Sequence, residues 1–476
     1  MSEGKKIAGL MMVLATVLCG PTLLFSQDPG APPKQAARTY SPLGDWSGDP
    51  SQIDSQTITP DNRPLTGAQT TTLGSPEMRH SYWIPGFEYG NFIQSSSNVN
   101  PAVSAWNSTS YVGGNFSLSE AWRHAQLYLN CSGGGFFSTD DSVGNGDYHQ
   151  AGLVQQFEWR GWQLSFLDQY AYLPQAQFGF GAGTNLSLAG IGGTLGTPAP
   201  GMQSNYLPSQ SIYSALGPRY SNAFVTQIGY RVDRRTSLIF AGSYGILRFT
   251  QPGNVDTNDA IFSAGYEYEV SRNSTLGVVY RFTIYNFDGQ PQAIRDHTAQ
   301  LAYGRKITGR IALELFGGPE ITQLRVPIGT SNQHISGAGS ANLVYTFTER
   351  TDLSGSYTHG ISGGSGVFTG ATSDQVQSSL NHQINRHWRG GIHFGYSRNG
   401  TIAQSGAQNA PRYNTWYAGA GLERALGPYA HFNLSYTAYL EDSNQIIAPI
   451  GTPFTSYAQH QIKIEFGWHT RPLVTR

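Results

Sequence analysis

Eight charged side chains, Glu267, Glu269, Arg281, Asp296, Glu314, Arg389, Lys463 and Glu465, fall in stretches where apolar and polar residues alternate. Each takes the polar phase of its stretch, as do Glu158, Arg160 and Glu423. Carboxylates and guanidinium groups lined along one face of extended segments can hold polar solutes, and their field can set the charge preference of a passage. They also serve a plainer purpose, keeping a polar face hydrated and rigid through cross-strand pairs. Both signs occur, so some pairing is expected. Glu267 and Arg281 lie on consecutive segments, as do Asp296 and Glu314.

Covalent chemistry has weaker support. His359 near Ser356, and His393 near Ser397, put a base and a nucleophile on one segment, but no acid is placed to orient either histidine. The runs Ser362–Gly366 (SGGSG) and Gly181–Asn185 (GAGTN) lack the lysine and following helix of a phosphate loop. Asp140, Asp141, Asn145 and Asp147 make an acidic loop without a full calcium ligand set. Cys19 falls in an N-terminal leader and Cys131 is then alone, which excludes a disulfide or a cysteine-based metal site. Neither an enzyme nor a bound cofactor or metal is expected.

Composition narrows the class. Charged residues are 12% of 476, about half the usual share for a soluble domain, yet mean hydropathy is −0.33. The polarity therefore comes from Ser, Thr, Asn, Gln, Gly and Tyr. Gly numbers 58 and aromatics are 12%. Net charge is −1, and removing Lys5, Lys6 and Glu3 with the leader leaves about −2. With no basic tract, nucleic acid is excluded as a partner.

Residues 1–26 read as a secretory signal peptide: Lys5 and Lys6, an apolar run from Ile7 to Leu18, and a break after Ser26. Cys19 as an acylated residue is disfavoured by Leu18 before it. Residues 27–84, rich in Pro, Ser, Thr, Gly and Gln, predict a flexible periplasmic segment. No other apolar run is long enough for a spanning helix.

From about residue 86 the period is two. In Ser274–Tyr285, Leu276, Val278, Tyr280, Phe282 and Ile284 share a face; in Tyr457–Trp468, Ile462, Ile464, Phe466 and Trp468 do. Ten or more residues at period two make a strand twice the usual soluble length, which fits a tilted bilayer crossing. Short turns at Val232–Arg235, Ser271–Ser274, Lys306–Gly309, Thr348–Thr351, Asn385–His387 and Ala425–Pro428 alternate with long Gly/Ser/Asn-rich connections. Arg234, Arg235, Arg272, Arg310, Arg350, Arg386 and Arg424 mark the short ones, either as solvated turn residues or facing lipid phosphates. The expectation is an all-β fold: a transmembrane antiparallel up-and-down β-barrel over 85–476, with about 18 strands and 16 as the alternative. Predicted strands include 121–130 and 309–318, and the interfacial girdles should draw on Tyr280, Phe282, Trp388, Tyr396, Trp416, Phe432, Phe466 and Trp468.

In this pattern the chain resembles the porin-like outer-membrane β-barrel proteins of Gram-negative bacteria. The last strand, YAQHQIKIEFGW, resembles their terminal assembly signal, with aromatics at Phe466 and Trp468, although HTRPLVTR follows it. The connection Pro174–Arg219, the third outer loop, resembles their inward-folded constriction loop in order and length, and it is nearly uncharged. The resemblance implies an outer-membrane channel for passive diffusion of small hydrophilic solutes with weak charge selectivity. It implies as partners outer-membrane lipids and the barrel-assembly and periplasmic chaperone machinery. A homotrimer would bury part of the aromatic face. The alternatives are a non-conducting surface scaffold or adhesin barrel, then a secreted β-propeller, then an outer-membrane hydrolase.

Overall fold

The structure, a computed structural model, describes residues 81–97, 106–139, 145–173, 219–250, 253–325, 332–348, 350–364, 366–385, 387–402, 410–427, 429–447, 454–471 and 473–475. The strands are β1 (Ser81–Ser97), β2 (Trp106–Ala121), β3 (Ala125–Ser138), β4 (Gly146–Trp159), β5 (Trp162–Leu173), β6 (Arg219–Arg231), β7 (Thr236–Phe249), β8 (Thr257–Ser271) and β9 (Ser274–Phe287). They continue as β10 (Ala293–Lys306), β11 (Ile311–Arg325), β12 (Asn332–Thr348), β13 (Thr351–Ser362), β14 (Ala371–Gln383), β15 (Trp388–Thr401), β16 (Arg412–Ala425), β17 (Ala430–Ile447), β18 (Phe454–His469) and a short β19 (Leu473–Thr475).

From β1 to β18 each strand pairs antiparallel with the next, and β1 closes on β18 from Gly86↔His469 to Ser97↔Ala458. The result is a closed barrel of eighteen long strands, as the alternation requires. β19 prolongs the seam by pairing Ser81↔Thr475, and Thr470 N–H donates to the Pro85 carbonyl at 2.9 Å. The residues after the terminal aromatic therefore extend the closure.

Polarity is inverted relative to a water-soluble protein. On β9, Leu276, Val278 and Tyr280 are exposed on the outer surface while Thr275 and Thr283 are buried on the inner one. Among the described strands closure leaves no long open sheet edge, and most ladder amides and carbonyls have a partner, as a bilayer demands.

The short turns lie at one end and share a design. Val232, Ile307, Ile384 and Leu426 each donate a backbone N–H to the residue four ahead. A side-chain oxygen at the next position supports three of them: Asp233 accepts from Arg235 N at 2.7 Å, Thr308 from Arg310 N at 3.1 Å and Asn385 from His387 N at 2.9 Å. The Arg235 amide, helped by Thr236, holds the exposed Asp233 carboxyl below the usual carboxylate range. Two turn arginines have definite seats: Arg310 donates to the Phe347 carbonyl at 3.3 Å, and the Arg424 guanidinium lies 5.2 Å from the Trp388 ring.

Several expected boundaries move. β3 runs over 125–138 rather than 121–130, because Gly133, Gly134 and Gly135 carry no side chains to reveal an alternation. β11 passes through Pro319 to Arg325 instead of stopping at 318. β1 begins at Ser81, so the last four residues assigned to the 27–84 segment belong to the barrel. Arg160 is a turn residue at φ 42°, followed by Gly161 at φ 87°, rather than a wall residue. The leader, residues 27–80 and the 174–218 part of the expected constriction loop lie outside the described residues, and Arg219 belongs to β6.

Candidate functional site

The inner wall is the candidate site, and strand parity decides which side chains reach it. Glu267, Asp296, Glu314, Lys463 and Glu465 all point inward and are buried. Glu269, Arg281 and Arg389 face the same way and are more exposed. Arg389 donates to Glu423 on β16 at 3.0 Å, directly opposite in register. The sequence did not single out that pair, and the two combinations it did place on consecutive strands are far apart in register. Glu267 stands opposite Gly277 while Arg281 stands opposite Ser263, four positions away. Asp296 faces Thr322 and Glu314 faces Gly304, eight positions apart.

One buried network ties β18, β1, β2 and β4 together. Lys463 Nζ lies 2.6 Å from Glu465 Oε2, and Tyr111 donates its hydroxyl to the same oxygen at 3.0 Å. Tyr148 reaches past β3 to donate to Glu88 Oε1. The tyrosines lie flat on the wall because glycines make room: a Cβ on Gly90 would stand 2.3 Å from the Tyr111 ring, and one on Gly113 would stand 2.1 Å from the Tyr148 hydroxyl oxygen. Their rings meet edge to face at 6.0 Å, over an apolar patch of Phe92, Phe136 and Ala171. The device recurs where Tyr417 covers Gly395 and His393 covers Gly419.

Three further inward carboxylates accept from neutral donors. Asp296 accepts from Thr298 at 2.8 Å and Thr322 at 2.9 Å. Glu320 accepts from Ser336 at 2.9 Å and from the Ile361 backbone amide at 3.3 Å. Glu441 accepts from Thr415 at 3.1 Å and Tyr439 at 2.9 Å.

In the connection between β13 and β14, residues 363–364 and 366–370 turn into the barrel. Its backbone bends at Gly364, Gly366 and Gly370, all at φ between +80° and +85°. The Gly366 carbonyl accepts from Val255 N at 2.7 Å, and a Cβ on Gly366 would lie 2.3 Å from the Phe249 ring. Those residues lie on or beside β7, which β8 to β12 separate from β13 in the sheet. Phe368 packs edge to face on Tyr413 at 5.2 Å, and Thr369 donates to Gln292 at 2.8 Å. Beneath it Phe287, Ile294, Leu324 and Ile402 form an apolar seat with Val255, Tyr285 and Ile361. Tyr285 donates to the Ile361 carbonyl at 3.3 Å. The loop thus crosses the inner wall and narrows the mouth at the long-connection end.

Sequence patterning placed the charged residues but missed their setting. Glu320 went unnoticed because Pro319 ended the predicted strand one residue earlier. Glu88, Tyr111 and Tyr148 share the inward parity that could have found them, but the covering of distant glycines depends on register. The SGGSG run reads from sequence as a failed phosphate loop within a long Gly-rich connection, with nothing in the run itself to aim it inward. Its three glycines, followed by the apolar pair Val367 and Phe368, were the available signal for a turn into the barrel. Ser356 faces inward and His359 outward, where His359 Nδ1 meets Asp374 at 2.7 Å, so that pair cannot act together.

No family model matches the chain, and no curated protein matches it. Among solved structures it is similar to the outer-membrane protein OpdK of Pseudomonas aeruginosa, at 11% identity, 82% of this chain, 99% of that one and a TM-score of 0.42. It is similar to OpdF (OccK2) of the same organism, solved in complex with glucuronate, at 10% identity, 82% and 98% coverage and a TM-score of 0.43. OccAB4 of Acinetobacter baumannii aligns at 8% identity, 82% and 99% coverage and a TM-score of 0.42. At these scores the likeness carries no weight beyond the barrel architecture already described.

Proposed function

We propose that this chain is an outer-membrane channel through which small hydrophilic solutes diffuse. The supporting observation is the inversion of the barrel: large apolar and aromatic residues outside, hydroxyls, amides and charges inside. Such a surface is stable only against hydrocarbon, and such an interior suits a polar path. Solutes larger than the mouth left by residues 363–370 are excluded, and smaller ones pass along a wall of hydrogen-bonding groups. The proposed activity is transport rather than catalysis. Export by a leader at 1–26 and assembly through Phe466 and Trp468 belong to the same proposal, as does solute contact by the inward residues Glu267, Glu269, Arg281, Asp296, Glu314, Arg389, Lys463 and Glu465.

The loop across the mouth also favours a second reading, a non-conducting barrel used as a surface scaffold. Swelling of proteoliposomes in neutral sugars separates the two. The channel reading expects swelling that falls steadily from a pentose to a trisaccharide. Swelling no faster than that of protein-free vesicles, from verified folded protein, contradicts it and supports the scaffold.

A further inference from the structure

We infer that the channel favours cations, so that small solutes carrying an amine pass faster than acids of equal size. This rests on the channel reading above. Among the buried charged side chains of the described residues, eight are carboxyls and two, Arg219 and Lys463, are cations. The partly covered inward positions balance, Arg281, Arg389 and Lys306 against Glu269, Asp352 and Glu423. Residues 174–218 and 363–370 contain no Asp, Glu, Lys or Arg, so those connections do not redress the excess.

How the carboxyls are held decides whether their charge reaches a solute. An arginine partner would cancel it. Asp296 and Glu320 instead accept only from hydroxyls and a backbone amide, none of which brings a positive charge. Asp259, 4% exposed and facing Tyr285 in register, has no hydrogen-bond donor among the described residues. These three acids surround Tyr285, and the cation beside them is Arg281. Tyr285 and Glu320 both bond the Ile361 backbone, at the root of the inward loop. The negative excess therefore stands beside the inward loop, and charge on a confined stretch of wall acts on a passing ion with little screening.

The test uses the full chain in a planar bilayer under a potassium chloride gradient. The reversal potential should give a potassium-to-chloride permeability ratio of about three or more. Stable channels with a ratio of one or below overturn the inference and leave the channel reading standing; no channels at all overturn both. Proteoliposomes should swell faster in glucosamine than in glucose, and slowest in glucuronate, and the reverse order also refutes cation preference. Asp296→Asn with Glu320→Gln should bring the ratio towards one, while Arg281→Gln should raise it. An unchanged ratio in folded protein of both variants refutes the placement at the loop. If a variant fails to fold, the wild-type ratio still decides the sign.

Discussion

Lys463 and Glu465 show how a charge survives inside this wall. Each is almost wholly buried, so the Coulomb gain of the 2.6 Å contact is set against a large desolvation cost. Removing one partner is worse than removing both. Lys463→Ala should destabilise the barrel by about 3–5 kcal/mol, and Lys463→Met with Glu465→Leu by much less, as read from urea unfolding in lipid vesicles. Equal losses in the two variants would mean the pair is not the buried unit described. Gly113 is tested by the same assay. A valine there meets the Tyr148 hydroxyl and must break its bond to Glu88. A loss of about 1–3 kcal/mol is expected, and only part of it should vanish in a Tyr148→Phe background, because the added Cβ would also stand 2.8 Å from the Gly133 carbonyl oxygen.

At the scale of elements, the strands were legible and the inward loop was not. Period two in Ser274–Tyr285 fixes both the strand and the faces of Thr275 and Leu276, because successive side chains must alternate. Register is a different kind of information. Nothing local says that Arg281 stands opposite Ser263 and Thr298 rather than nearer Glu267, since that depends on turn lengths and on closure. The 363–370 loop is harder still, because its seat is assembled from strands remote in sequence. Deleting residues 364–369 should widen the mouth and raise single-channel conductance severalfold, with the barrel still resisting unfolding by detergent at room temperature. Unchanged conductance would show that the loop does not bound the path. Gly370→Val is expected to loosen the loop without deleting it, since its Cβ would fall 2.0 Å from Ile294 Cδ1 at a backbone φ of +85°.

At the scale of the whole molecule, the inversion of inside and outside carries the assignment. Leu301 is 64% exposed on the outer surface, while its neighbour Gln300 is 4% exposed on the inner one. If hydrocarbon surrounds the barrel, Leu301→Arg should cost about 2–4 kcal/mol near mid-depth, measured by reversible unfolding into vesicles. In a water-soluble barrel the same change would be nearly neutral. The low charge content and the long alternating strands made this architecture readable from composition and pattern. The sign of the lumen was less readable, because it depends on which acids have arginine partners and which have only hydroxyls.

The most direct measurement is single-channel recording of the full, refolded protein in a planar bilayer, with folding verified by heat-shifted mobility. Discrete steps of constant size whose conductance rises with salt are expected. A verified barrel that inserts and gives no steps would contradict a diffusion channel.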